Sequence, residues 1–299
     1  MKFAYLIMAH NNKYILYKLL KLLDDRRNDI YIHIDVKASG FNDNEIKQQC
    51  THANIIFVER TDVAWGGYSQ INCELILLKQ AIKKRYDYYH ILSGVDLPLK
   101  SQEYIYNFFN ENNGKEFVGI FPNWTKRIDI KRRYSKYHFG QDKAGRNSKC
   151  IWFYLIKFNR KIQIYILPFI DRSRRQTMKF QGGPNWISIT DEFARYIVGK
   201  EDWIKKTFSN TLCCDEIFVQ TLLYNSSFYK KRYVANEKEN AFDSCMRYID
   251  WERGEPYTWR AEDYKMLMDS PYLFARKFGM NDSEEREIVD RIFNELNQV

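Results

Sequence analysis

What the chain lacks narrows it before any motif is read. No Asp-x-Asp occurs in its 299 residues, so the simplest acidic pair for holding a divalent ion is missing. Its six cysteines show no Cys-x-x-Cys spacing and its five histidines no paired-ligand pattern, which removes the common zinc modules. Cys213 and Cys214 are adjacent and poorly placed to pair with each other, so reduced, buried thiols are expected. No uninterrupted apolar run is long enough to span a bilayer. The nearest approach, Ile151 to Ile170, is broken by Lys157, Arg160, Lys161 and Gln163. A strand pattern starts at Phe3, where a secretory leader would stand, and no repeat, low-complexity tract or linker divides the chain. The expected location is the cytoplasm, at the inner face of the membrane.

What is present is a soluble composition with two biases. Hydrophobic residues make up 45% and charged residues 28%, ordinary for a globular chain that can bury roughly three quarters of its unfolded surface. Aromatic content is 16%, with 22 Tyr and 7 Trp, a supply of flat amphipathic rings suited to stacking on sugars or bases. The net charge of +9 favours anionic partners such as a nucleoside diphosphate or an anionic lipid surface. No recognised nucleic-acid module accompanies that charge, so nucleic acid is not an expected partner.

Three apolar runs end in polar residues: Phe3 to Met8 before Ala9-His10-Asn11-Asn12, Ile30 to Ile34 before Asp35, and Tyr88 to Leu92 before Ser93-Gly94-Val95-Asp96. Separated by helical patterns, such runs predict buried parallel strands. Ligands of open α/β sheets bind beyond the carboxyl ends of their strands. Ile55 to Val58 and Trp186 to Ile189 add two short strands. Asn11 or Asn12 is placed to cap a helix over Lys13 to Leu23, and Ser69 one with Ile71, Leu75, Leu78 and Ile82 in a stripe. Cys214 to Leu223 predicts a helix with Asp215 and Glu216 in its first turn. Asp191 starts another helix. The last carries Ile288, Ile292 and Leu296 on one face.

Several residues are candidates for chemistry, each with a plainer alternative. Asp35 and Asp96 stand where a nucleotide would lie and can accept from ribose hydroxyls or a base N–H, or can simply cap turns. Glu216 is a general base facing a cleft, or a carboxylate answering a helix dipole. Arg260 and Lys277, set among aromatics, can clamp a diphosphate or sit solvated. Trp186 and Trp251 can stack on sugar faces or pack in the core.

Eight stretches in order carry a resemblance: Ala4 to His10; His33-Ile34-Asp35; Arg60 with Trp65-Gly66-Gly67-Tyr68-Ser69; Ser93 to Pro98; Gly182 to Trp186; Asp215-Glu216-Ile217-Phe218; Tyr248-Ile249-Asp250-Trp251; and Leu273 to Phe278. Over about residues 3 to 280 the chain resembles the core-2/I-branching β-1,6-N-acetylglucosaminyltransferases, a family that includes the peptide O-xylosyltransferases. The resemblance implies an α/β fold of GT-A type, a Rossmann-like mixed sheet flanked by helices. It implies one domain over 1–299, with 1–120 the nucleotide-binding half and 121–299 the acceptor and catalytic half. It also implies an inverting transfer from a UDP-sugar. Residue by residue, Glu216 becomes the catalytic base and Asp35 a uridine contact. Arg260 and Lys277 replace a metal at the diphosphate, with His10, Arg60 and Asp96 on the donor side and Trp186, Trp251 and Arg133 on the acceptor side. No metal and no cofactor beyond the donor is expected.

The implied reaction moves a sugar, N-acetylglucosamine first and xylose as the alternative, to a glycan hydroxyl in surface polysaccharide synthesis. A metal-dependent or hydrolytic sugar-nucleotide enzyme, and a non-catalytic basic membrane- or glycan-binding protein, are the competing readings. The chain lacks the anchor, stem and cysteine framework of the vertebrate members, which suggests a bacterial relative. Finally, Lys126 to Arg175, with Lys157, Arg160, Lys161, Arg172, Arg174 and Arg175 among aromatics, is expected to face a membrane or a lipid-linked glycan acceptor.

Overall fold

The computed structural model describes residues 1–122, 128–145, 149–167, 169, 171, 177–235 and 240–297. Lys126, Ile170, Arg172, Arg174 and Arg175 lie outside the described residues. Among the described residues eight strands are formed: β1 (Phe3–Ala9), β2 (Asn28–Ile34), β3 (Asn54–Phe57), β4 (Tyr88–Ser93), β5 (Leu97–Pro98), β6 (Ser188–Thr190), β7 (Arg247–Ile249) and β8 (Phe274–Arg276).

The main sheet runs β3-β2-β1-β4-β6. Its first four strands are parallel, and β6 closes the edge antiparallel to β4. The expected mixed, parallel-rich α/β sheet is therefore present. Side chains of β1 alternate between two cores, as strand geometry requires: Phe3, Tyr5 and Ile7 enter one, Ala4 and Leu6 the other. The helix Lys13–Leu22 covers the first face with Ile15, Leu16, Leu19 and Leu20. The helix Tyr68–Ala81 covers the second with Ile71, Leu75 and Leu78. With both faces covered, continuous apolar strands are the stable choice.

A smaller sheet, β5-β8-β7, sits beyond the carboxyl end of β4. Residues 97–98 pair with 274–275, and β6 pairs with β4. Hydrogen bonding thus runs freely across residue 120.

Some local details differ from the sequence pattern. The helix Tyr68–Ala81 is capped from outside: Asp142 accepts from Ser69 N at 3.0 Å and from its Oγ at 2.7 Å, so Ser69 is bound by the cap and Gly67 holds the N-cap position. Asn12 takes the N-cap position of the first helix in a left-handed conformation, without a side-chain cap bond. The helix expected from Cys214 begins at Phe218, so Asp215 and Glu216 lie in the turn before it. Trp186 precedes β6. None of the six cysteines forms a disulfide among the described residues.

The two sheets are joined at Asp96, which is 1% exposed. Its carboxylate accepts from Ser93 N at 2.8 Å, from Ser93 Oγ at 2.6 Å and from Arg276 Nη1 at 2.9 Å. Asp96→Ala leaves a largely buried guanidinium without its counter-charge. A loss of about 3–5 kcal/mol is expected in urea unfolding, and the smaller cost of a surface ion pair would show that the contact is not a structural tie.

Candidate active site

The reversal of strand order between β1 and β4 opens a crevice at their carboxyl ends. His10 and Asp35 follow β1 and β2 there, and Asp35 N donates to Ala9 O at 3.0 Å. Asp35 accepts from Lys37 N at 2.8 Å and Val63 N at 3.3 Å, with Lys37 Nζ at 3.5 Å. The His10 pKa is lowered, by partial burial first and the Arg276 charge next, with Asp35 opposing. His10, Asp35 and Arg276 thus share one electrostatic neighbourhood. Arg60 instead points to Asp43 at 2.6 Å, a half-exposed pair.

The strand β8 brings cations to the same rim. Phe278 N donates to Val95 O at 3.0 Å, which seats Lys277 beside the Ser93–Asp96 turn. The Lys277 ammonium has no ion pair among the described residues. Arg276, which sequence reasoning missed, also lies 4.3 Å over the Trp186 ring. Arg260 is differently placed: its guanidinium is held by Asp282 and Glu284, each at 2.8 Å. The acids that engage it are four residues or fewer from Asn281, in a stretch whose spacing gave no hint of the contact.

A cleft of about 430 Å³ is lined by Phe121, Pro122, Ile130, Arg133, Glu216, Phe242 and Trp251. Glu216, Arg133 and Trp251, proposed from sequence, are therefore brought together, while Phe121 and Phe242 were not foreseen. Trp251 is 50% exposed, a ring available to a ligand. Arg133 Nη1 donates to Glu216 Oε2 at 2.7 Å, and Oε1 has no hydrogen bond among the described residues. One oxygen of the carboxylate is held by Arg133, and the side chain lines the cleft.

Backbone packing rather than a helix dipole holds Glu216. Ile217 N and Phe218 N both bond Cys214 O, and Gly183 N donates to Glu216 O at 2.9 Å. A Cβ on Gly183 would stand 2.0 Å from Gly119 O, so only glycine permits that approach. Cys213, at φ 49, turns the chain just before the acidic pair, and its N–H reaches Gly66 O at 2.9 Å.

Behind Glu216 lie two inward carboxyls. Asp215 accepts from Gln70 Nε2 at 3.1 Å and Asn185 Nδ2 at 3.4 Å. Its pKa is raised, by burial first and the Glu216 charge next. Glu74 has both oxygens buried without a partner and is pushed well up, again by burial first and then by Asp215. Among the described residues no group of three or more His, Cys, Asp or Glu side chains is arranged to hold a metal ion.

A carboxyl with a raised folded pKa binds its proton more tightly in the folded state. Its contribution to stability is complete below about pH 4 and is lost as pH rises toward the folded value. Asp215→Asn keeps the shape and an acceptor for Gln70 while removing that titration. The variant should gain stability relative to the parent as pH rises through the weakly acidic range, read by thermal melts across pH. A parallel pH dependence in the two proteins would show that Asp215 is ionised throughout.

The family model "Branch: Core-2/I-Branching enzyme" matches residues 3–268. Xylosyltransferase 2 of Rattus norvegicus is 25% identical over 309 residues, covering 97% of this chain and 33% of its own length. Xylosyltransferase sqv-6 of Caenorhabditis elegans is 25% identical over 282 residues, covering 87% and 32%. The chain thus spans about a third of the length of these curated relatives. The crystal structure of mouse Xyloside xylosyltransferase 1, apo form, aligns with a TM-score of 0.36 at 9% identity, over 91% of this chain and 96% of that one.

Proposed function

The chain belongs to the core-2/I-branching enzyme family, and from that premise we propose that it is an inverting glycosyltransferase with Glu216 as general base. The observation that carries this reading is Glu216 itself, with one oxygen tied to Arg133 in a cleft that Trp251 also lines. The donor is a UDP-sugar and the acceptor a glycan hydroxyl. N-acetylglucosamine is the sugar the family resemblance implies. Xylose is a second reading, favoured by relatives that carry it in their names. Surface polysaccharide synthesis on a lipid-linked acceptor is the proposed setting.

In this mechanism the acceptor lies against the Trp251 ring and its hydroxyl meets Glu216. The carboxylate takes the hydroxyl proton as the oxygen attacks the anomeric carbon, and the bond to the diphosphate breaks on the opposite side. One displacement inverts that centre. Arg133 fixes the carboxylate before the acceptor arrives, a positioning that lowers the cost of reaching a reactive geometry. Negative charge grows on the departing diphosphate, and a preorganised cation there stabilises the transition state by several kcal/mol, order of magnitude. Lys277 is the available charge. Arg260 can serve only by releasing Asp282 and Glu284.

Glu216→Gln keeps the shape and removes the proton acceptor, so transfer should fall about 100-fold or more with UDP affinity little changed. Near-normal turnover would reassign the base. A nucleotide-sugar screen for slow donor hydrolysis identifies the sugar.

Metal independence is part of the proposal, supported by the missing Asp-x-Asp and the free Lys277. Transfer should survive EDTA, and Lys277→Ala should weaken UDP binding more than uridine binding. Arg260→Ala should do so less. Inhibition by EDTA that manganese reverses would refute metal independence and leave the role of Glu216 standing.

A further inference from the structure

The helix Ile151–Lys161 runs on into a π-helical turn, Ile162–Ile166. Its faces are inverted relative to an ordinary surface helix. The side turned to the protein is anchored by polar groups: Asn159 Nδ2 and Gln163 Nε2 donate to Tyr137 O at 3.1 and 2.9 Å, and Gln163 Oε1 accepts from Tyr137 N at 2.8 Å. Trp152 packs so closely on Gly140 that a Cβ there would meet its ring at 2.7 Å. The side turned to solvent carries an apolar stripe. Ile151, Tyr154, Leu155, Phe158, Tyr165 and Ile166 are each 46% to 77% exposed. Positions 151, 154, 155 and 158 follow the i, i+3, i+4, i+7 rule of one helix face, so this is a continuous stripe rather than scattered surface residues. A stripe of this extent marks a surface that takes a partner.

The charge around it selects the partner. Residues 126–175 hold fifteen Lys and Arg against three Asp and no Glu, a net of +12. The whole chain carries +9, so the other 249 residues carry a net of −3. The excess positive charge of the protein is therefore confined to the stretch that presents the apolar stripe. Lys157, Arg160 and Lys161 are exposed on the helix itself. A second copy seated on this face would bring two such stretches together, and like charges at close range repel. An anionic lipid surface satisfies both features, with apolar and tyrosine side chains entering the headgroup boundary and cations meeting the lipid charge. Eleven helical residues rise about 16 Å, well short of a bilayer's hydrocarbon core of about 30 Å. The helix must lie in the plane of the surface.

We infer that the outward face of the helix Ile151–Lys161 and the turn after it is a docking face for an anionic membrane. The inference is independent of the transferase reading. Tyr137, which holds the helix, follows by two residues the helix Ile128–Ser135 that carries Arg133, so a short piece of chain joins the docking face to the cleft.

The test is flotation of the purified chain with phosphatidylcholine vesicles and with vesicles rich in phosphatidylglycerol, at low and high salt. Two variants accompany it: Lys157→Glu, Arg160→Glu, Lys161→Glu, and Leu155→Ser with Phe158→Ser. The substituted side chains are exposed, and circular dichroism with thermal melts checks that both variants fold. The parent should float with the anionic vesicles at low salt and be released by high salt. Charge reversal should weaken partitioning at least about 100-fold, and the serine pair about 10-fold. No flotation on anionic vesicles at low salt, or equal flotation of parent and variants, overturns the inference. So does a concentration-dependent dimer that the serine pair abolishes, since a second copy would then be what covers the stripe.

Discussion

The Asp96 carboxylate is the contact on which the site's layout depends. It gathers the Ser93 amide, the Ser93 hydroxyl and the Arg276 guanidinium at one buried point, and so ties the end of β4 to β8. From Arg276 the connection passes to the Trp186 ring, and the loop before that ring passes it to Glu216 through Gly183 N. Strand-end crevice, cation rim and candidate base are linked by short polar contacts rather than by one rigid element. A buried ion pair contributes little net stability compared with apolar packing. What it supplies here is a fixed relation between two sheets that share no strand.

Three carboxyls, Glu74, Asp215 and Glu216, lie in sequence from the interior to the cleft. The two inner ones are pushed toward their neutral forms by burial first, and then Glu74 by the charge of Asp215 and Asp215 by the charge of Glu216. Only Glu216 opens to a space large enough for a ligand. The arrangement leaves a single carboxylate lining the cleft, and a guanidinium beside it that limits its rotation. In a cleft otherwise walled by Phe121, Phe242 and Trp251, that is the polar group around which a bound sugar would orient. The rings supply area for a pyranose face, and the carboxylate supplies direction.

The polar anchoring of the helix Ile151–Lys161 has a thermodynamic logic. An apolar stripe left in water costs free energy unless something covers it, and Asn159 and Gln163 cannot repay that cost by packing. They do specify which side faces outward. Two side-chain amides saturating the same backbone group at Tyr137 would lose those bonds if the helix rolled to bury its apolar face. The fold thus holds the stripe exposed.

The sequence by itself determined the parallel strands, because runs buried on both faces are apolar throughout and their length and separation are local properties. It determined, by ordered motifs, the family, and those motifs contain Glu216 and Trp251, which share the cleft with Arg133. Tertiary structure decided the rest. Ser69 has the chemistry of a cap, but Asp142, far along the chain, occupies that place. Asp215 and Glu216 have the pattern of a first helical turn, yet close packing at Gly183 and a left-handed Cys213 delay the helix to Phe218. Arg260 and Lys277 look alike as cations near aromatics, and only the fold gives one of them two carboxylates and leaves the other without an ion pair among the described residues. In each case the deciding neighbour is remote in sequence, and an electrostatic or steric contact made across the fold leaves no periodicity for a local reading to find.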